Sequence, residues 1–354
     1  MNWTAADHEF MARALQLAAR GLNTTTPNPR VGCVLVRDGA VVGEGWHERA
    51  GEPHAEVNAL RMAGAARGAT AYVTLEPCSH HGRTPPCADA LIDAGVRRVV
   101  AAMRDPNPLV AGEGLARLEL AGVEVASGLM EREARELNIG FVARMTRGRP
   151  WLRLKVAASL DGKTALNNGK SQWITGPEAR RDAHAWRARS CAILTGIGTV
   201  KDDDPSLTVR DVPCERQPLR VVVDSRLETP PGAKVLAGGK VLVFAAVAGA
   251  LPGAEVIVLP NAAGKVDLAA MLAELGRRGI NEVLAEAGTR LNGSLLKEAL
   301  VDELLIYQAP LLLGDAARGM FGLPELTALA GARRLEIMDR RVVGADFRIR
   351  ARPA

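Results

Sequence analysis

The sequence predicts two successive α/β domains, and three observations carry that prediction. The chain has 354 residues, more than one core usually supports, since single cores stop growing at about 250–300 residues. β-rich runs alternate with helix-patterned stretches along most of its length, as in layered α/β folds. A short basic stretch containing Gly and Pro, Thr146 to Pro150, separates one alternating series from the next. The expected domains are residues 1–146 and 147–354.

The elements follow in order. Thr4 is an N-cap candidate with Asp7 three residues on. Phe10, Ala14 and Leu17 repeat at helical spacing, and Gly21 ends the helix. Two β-rich runs flank Asp38-Gly39, a hairpin signal. A helix is expected from Pro53 to Ala65, a strand at ATAYVTL, a helix from Cys87 to Ala94 and a strand at VRRVVAAM. The second series has strands at LRLKVAAS, CAILTG, LRVVVDS, KVLVFAA and AEVIVL. Helices are expected over Val266 to Arg278 and Thr289 to Ala299, with strands at EVLAEA and ELLIYQAPLLL.

Composition narrows the function classes. Apolar residues make up 47% and charged residues 24%, an ordinary balance for a globular protein. The net charge of +5 is spread along the chain. It suits phosphorylated small molecules and argues against a nucleic-acid partner, which calls for a clustered basic stripe. Five cysteines, Cys33, Cys78, Cys87, Cys191 and Cys214, are too few and too scattered for a disulfide framework, so a reducing cytoplasm is expected. The start of the chain carries Asp7, His8 and Glu9 where a signal peptide needs apolar residues. Val241 to Leu259 is broken by Gly249, Pro252, Gly253 and Glu255. It reads as two buried strands with a turn, and no membrane partner is expected.

The strongest chemical signal is His54-Ala55-Glu56, followed by Pro77-Cys78 and then Cys87. One imidazole and two thiolates provide the three protein ligands of a catalytic zinc, with a fourth position left for water. Cys87 falls at an expected helix start, where the dipole favours a thiolate. Bound zinc lowers the pKa of water toward about 7. Glu56, two residues from His54, can carry that proton to a leaving amine. H-x-E followed by P-C and a further Cys is the order of zinc-dependent deaminases. The usual C-x-x-C is replaced here by SHHGRTPP between Cys78 and Cys87. That loop places His80, His81 and Arg83 beside the metal, as substrate contacts or as solvated loop residues.

The second half has no G-x-G-x-x-G after its first strand. Two strand-to-helix turns stand in for it, TGIGTVKDDDP and EAGTRLNGSLL. In the second, Gly288, Thr289, Gly293 and Ser294 can cradle a phosphate on helix N–H groups, or form an ordinary Gly/Thr turn.

The runs TPNPRVGCV, GEPHAEVNAL, TLEPCSHHGRTPPC and MRDPNPLVAGEG resemble the deaminase half of bacterial bifunctional riboflavin-biosynthesis enzymes. KVAASLDGKTA, SQWITG, DDDPSLTVR, VVVDS and EAGTRLNGSLL are similar to the reductase half. The resemblance implies a cytidine-deaminase-like three-layer α/β/α domain followed by a dihydrofolate-reductase-like α/β domain. It implies His54, Cys78 and Cys87 as Zn2+ ligands, Glu56 as proton shuttle and Asn28 as a pyrimidine contact. A Pro-Asn-Pro turn also serves backbone shape alone. In the second half it implies NADPH contacts at Ala157, Trp173, Thr199, Asp203 and Ser225, and along Gly288, Thr289, Arg290, Leu291, Asn292, Gly293 and Ser294. Substrate contacts are implied at Ser171, Arg187, Leu207, Arg210 and Glu286. The guanidinium forks of Arg187 and Arg210 suit a sugar phosphate. Lys155 and Asp161 are cleft candidates or strand-end ion pairs. The implied activity is zinc-dependent deamination of a diaminopyrimidinone ribosyl phosphate, then NADPH reduction of the ribosyl group to ribityl, in a homo-oligomer.

Two other functions make different demands. A nucleic-acid-editing deaminase calls for C-x-x-C and a basic, aromatic-rich surface, whereas aromatics are 3% of this chain. A structural zinc site calls for four ligands, which His80 or His81 would have to complete.

Overall fold

The computed structural model describes residues 2–79, 86–108 and 110–354. The chain divides into two compact units, Met1–Gly148 and Arg149–Ala354.

In the first unit the elements run α1 (Ala5–Arg20), β1 (Gly32–Arg37), β2 (Ala40–Trp46), α2 (Ala55–Ala63), β3 (Thr70–Val73), α3 (Cys87–Asp93), β4 (Arg98–Ala101), α4 (Glu113–Leu120), β5 (Glu124–Ser127), α5 (Glu131–Leu137) and α6 (Ile139–Arg147). The sheet order is β2-β1-β3-β4-β5, with β1 antiparallel to both neighbours and β3, β4 and β5 parallel. Thr4 and Asp7 form the expected capping box at the start of α1. Asp38 and Gly39 both take positive φ and close the β1–β2 hairpin.

Glycines fix the layering. A Cβ on Gly32 would stand 2.0 Å from the Ala14 carbonyl of α1, and one on Gly45 would stand 2.4 Å from the Ala59 nitrogen of α2. Gly32 pairs with Trp46, the neighbour of Gly45. Successive strand residues face opposite sides, so α1 and α2 cover opposite faces of the sheet. The core between the layers is mostly Val, Leu and Ala. α6 runs to Arg147 and ends on Gly148 in the left-handed region (φ 69°), so the helix continues through the first residues of the expected linker.

The second unit contains β6 (Trp151–Ser159), β7 (Lys163–Ala165), α7 (Pro177–Arg189), β8 (Ala192–Gly196), α8 (Ile197–Asp203), β9 (Leu219–Val223), β10 (Val241–Ala245), β11 (Glu255–Val258), α9 (Leu268–Arg277), β12 (Glu282–Ala285), α10 (Thr289–Lys297), β13 (Glu303–Ala309), β14 (Arg318–Gly319), β15 (Leu335–Val343) and β16 (Asp346–Pro353). Nine strands form one sheet, in the order β11-β10-β9-β8-β12-β6-β13-β16-β15. It is parallel from β11 to β13, and the last two strands are antiparallel.

Two expectations are corrected, and some elements were not anticipated. β11 is the sheet edge, with Glu255 and Val258 exposed, so only β10 of the expected pair is fully buried. The last expected strand stops at Ala309, because Pro310 cannot donate to a ladder. The β15–β16 hairpin and α7 had no clear signal, since β15 is exposed along nearly its whole length and α7 is rich in charge. No helix among the described residues is long and apolar enough to cross a membrane.

Candidate functional site

In the first unit, His54 is the N-cap of α2 and Cys87 opens α3. Cys78 lies in the segment between β3 and α3. One ligand atom from each of the three falls within 4.8 Å of the others. His54 Nδ1 is 3.3 Å from Cys87 Sγ and 3.7 Å from Cys78 Sγ. Ligands about 2.0–2.3 Å from one tetrahedral ion stand about 3.5 Å apart, so this donor set fits zinc. The hydrogen bond from Cys87 and contact with His54 bring the Cys78 thiol down to about 4. The hydrogen bond to Cys78, then burial, push Cys87 up.

Glu56 is 3% exposed. Burial, then the Cys78 thiolate, raise its carboxyl to about 7, the range in which a group both takes and gives a proton near neutrality. His54, Cys78 and Glu56 line a cavity of about 530 Å³, whose walls include Asn28, His47, Glu76, Asp105 and Asn107. His80 and Arg83 lie outside the described residues.

His47 and Glu76 escaped the sequence reading. His47 Nδ1 is 3.1 Å from the Pro53 carbonyl, so it carries the proton and donates there. Nε2 is then the acceptor for the Asn28 amide nitrogen, 3.1 Å away, which turns the Asn28 oxygen away from His47. Burial keeps the His47 ring neutral by lowering its pKa. The available signal was a histidine just after the β2 run and seven residues before His54.

In the second unit several of the expected residues lie just past the ends of β8, β9 and β12. Thr199 and Asp203 lie on α8, which follows β8. Ser225 follows β9, and Glu286 and Gly288 follow β12. A Cβ on Gly288 would lie 3.6 Å from Thr199 Oγ1, and one on Gly196 3.2 Å from Leu291, so the two turns meet. No side chain caps the start of α10 at Gly288, which leaves its first N–H groups for a phosphate. That crevice beyond parallel strand ends is where open α/β sheets hold nucleotides. Ser171 Oγ donates to Asp203 at 2.8 Å. Thr289 Oγ1 donates to the Gly319 carbonyl. Gly293 packs so tightly that a Cβ would meet the Gly322 carbonyl at 2.2 Å.

Glu286 accepts a bidentate pair from Arg187 at 2.6 and 3.0 Å, and Lys155 Nζ stands 3.6 Å from it. Burial opposes its ionisation, yet Arg187 and Lys155 hold its carboxyl down at about 2. Arg187 also donates to the Thr208 carbonyl, so its fork is occupied within the protein. The backbone N–H of Arg210 donates to His184 Nδ1 at 3.0 Å, while Leu207 is buried at φ 50°. Burial, then Arg187 and Arg210, lower His184 to about 4. Ala157 sits inside β6 beside Tyr307 of β13. Trp173 is 69% exposed under the guanidinium of Arg180. Asp161 is elsewhere: it accepts from Ser159 and from the backbone of Leu313 and Gly314, bracing a turn.

Two families match this chain. Residues 4–103 match the cytidine and deoxycytidylate deaminase zinc-binding region, and residues 150–348 match the RibD C-terminal domain. The riboflavin biosynthesis protein RibD of Escherichia coli K12 is 53% identical, over 96% of this chain and 97% of its own length. That of Haemophilus influenzae is 48% identical, over 100% and 99%. A solved structure of Acinetobacter baumannii RibD superposes with a TM-score of 0.93 at 46% identity, covering 99% of each chain. A Thermotoga maritima protein described as a diaminohydroxyphosphoribosylaminopyrimidine deaminase/5-amino-6-(5-phosphoribosylamino)uracil reductase superposes at 0.90 with 34% identity, again over 99% of each.

Proposed function

This chain belongs to the RibD family of riboflavin-biosynthesis enzymes, and from that premise we propose how its residues divide two reactions. It is a zinc-dependent deaminase joined to an NADPH-dependent reductase. We assign the deaminase to residues 1–146 and the reductase to residues 147–354.

In the deaminase, His54, Cys78 and Cys87 hold Zn2+, and the ion supplies a Lewis acid that makes water acidic. The substrate is 2,5-diamino-6-(5-phosphoribosylamino)pyrimidin-4-one. Glu56 takes a proton from the attacking water and delivers it to the exocyclic amine. The new C–O bond replaces the C–N bond, and ammonia leaves. Asn28, held by His47, offers its side-chain oxygen to the pyrimidine. His80 and Arg83 are assigned to the phosphate side of the substrate. The observation that carries this reading is a buried carboxylate, Glu56, lining one cavity with His54 and Cys78 of a three-ligand metal set.

In the reductase, NADPH would supply a hydride to C1 of the ribose as the bond from C1 to the ring oxygen breaks and that oxygen takes a proton from solvent, giving ribityl. The start of α10, with Ala157, Trp173, Thr199, Asp203 and Ser225, holds the cofactor. Ser171, Arg187, Leu207, Arg210 and Glu286 hold 5-amino-6-(5-phosphoribosylamino)uracil. Arg187 shapes the site by orienting Glu286, and Arg210 is the phosphate ligand.

The chain works in the cytoplasm, in keeping with five free cysteines. It forms a homo-oligomer, which the exposed Leu335, Ile337, Val342 and Phe347 of the β15–β16 hairpin support.

Zinc content and ammonia release, measured for wild type beside Glu56→Ala, test the deaminase roles. One zinc per chain in both, with ammonia lost only in the variant, is expected. Loss of zinc from Glu56→Ala would make Glu56 a ligand instead.

A further inference from the structure

Glu76 precedes the Pro77-Cys78 pair and is 5% exposed. The catalytic roles above leave it unused. Its carboxylate is fully engaged. Oε2 accepts from the backbone N–H groups of Asp105 and Gly112, each at 3.0 Å. Oε1 accepts from Gly114 at 2.9 Å and Leu115 at 3.3 Å.

Three of these donors belong to the start of α4. Gly112 is its N-cap, at φ 88°, and has no side chain with which to cap it. Gly114 and Leu115 are its second and third residues. A helix start leaves such N–H groups without partners, and an acidic side chain is their preferred acceptor. Glu76 thus caps α4 from 38 positions away. The approach is close: a Cβ on Gly114 would stand 1.8 Å from the Pro77 carbonyl.

The fourth donor, Asp105, ties the other end of the same loop. From Asp105 the loop runs through Asn107 and Val110, and these three residues line one wall of the deaminase cavity. Asp105 in turn accepts from the Asn107 N–H at 2.8 Å, so the wall is braced from the Glu76 carboxylate outward. The metal-bearing segment and this wall share one residue.

We propose that Glu76 is a positioning residue for the deaminase reaction: its carboxylate fixes the wall formed by Asp105, Asn107 and Val110 against which the pyrimidine ribosyl phosphate binds. Its carboxylate oxygens are engaged by four backbone N–H groups. The inference rests on the deaminase reading of this cavity.

The test uses the full chain, with Glu76→Gln and Glu76→Asp beside wild type. Zinc per chain, the reductase rate, and KM and kcat for ammonia release from the diaminopyrimidinone ribosyl phosphate are measured. Glu76→Gln turns an –NH2 group toward N–H donors that need an acceptor. Zinc content and reductase rate should stay at wild-type values. KM should rise by about tenfold or more, with kcat within about threefold, and Glu76→Asp, which keeps the charge, should fall between. An unchanged KM, or a kcat that falls in step with zinc content, would overturn the proposal. If Glu76→Gln does not fold, Glu76→Asp decides alone: a raised KM with zinc retained supports the inference, and an unchanged KM overturns it. A wild-type chain that released no ammonia would instead sink the deaminase reading itself.

Discussion

The two sites of this chain are built in opposite ways. The proposed deaminase site takes its metal ligands and proton shuttle from one stretch, His54 to Cys87, and two helix starts present His54 and Cys87. The proposed reductase site is assembled by sheet order. Glu286 follows β12, which inserts between β8 and β6, and its partner Arg187 lies 99 positions away. Lys155 joins them from β6. A site made of neighbours in sequence depends on local geometry around a few ligands. A site made by topology depends on charges compensating one another inside a sheet. Damage to the first should therefore remove one activity and leave the fold intact, whereas damage to the second should lower both reductase activity and stability.

The largest effect should come from Cys87→Ser. Zinc content should fall to near zero with deaminase activity beyond detection, while NADPH oxidation by the second unit continues. Metal analysis and the two assays check this, and loss of both activities would break the contrast.

Glu286→Gln should do the reverse. It leaves Arg187 and Lys155 facing a neutral group, and removing one partner of a buried ion pair costs about 3–5 kcal/mol. Thermal unfolding of the second unit should shift down, with the deaminase rate preserved. The wild-type pair also has a pH signature. The Glu286 carboxyl lies at about 2 in the fold against an ordinary 4.5. A depressed carboxylate stabilises above its unfolded value, and that stability is lost as pH falls from about 4.5 toward 2. Acid unfolding followed across that window should be shallower in the variant.

Two glycines sharpen the comparison at smaller scale. Gly45→Ala drives a Cβ to 2.4 Å from the α2 backbone. Overpacking of this kind costs about 1–3 kcal/mol, and it should move His54 and Glu56 together, lowering the deaminase kcat. Gly288→Ala meets only an ordinary contact at 3.6 Å. The fold should be unaffected, and a severalfold rise in KM for NADPH would report crowding of the bound phosphate. The smallest effect should be that of Thr4→Ala, about 1 kcal/mol from loss of the α1 cap, read as a shift in the unfolding midpoint with both activities unchanged.

Legibility followed the same division. The capping box at Thr4 and Asp7, the Asp38-Gly39 hairpin and the α2 and α3 starts were readable because each is set by residues within a few positions of one another. The metal triad was readable although it spans 33 positions, because H-x-E, then P-C, then a further Cys is a recognisable order of residue types. His47 and Glu76 were not, because their roles exist only through contacts with Asn28 and with residues 105 to 115. The β15–β16 hairpin escaped because its outer strand is exposed along nearly its whole length and carries no alternating apolar pattern. Lys155 and Asp161 looked alike in sequence, each a charged residue on or just after β6. The fold sends one to Glu286 and the other to the backbone at Leu313 and Gly314.

By itself, the sequence determined the two α/β units, the zinc donor set and the carboxylate beside it, because helix starts and turns are short-range properties of the chain and the donor set follows a recognisable order of residue types. Tertiary structure alone decided that Arg187 faces Glu286 rather than open solvent, that His47 orients Asn28, and that Glu76 caps a helix 38 positions away. The physical reason is that burial and hydrogen-bond partnership are set by which strands lie side by side, and strand order is not written in any local stretch of residues.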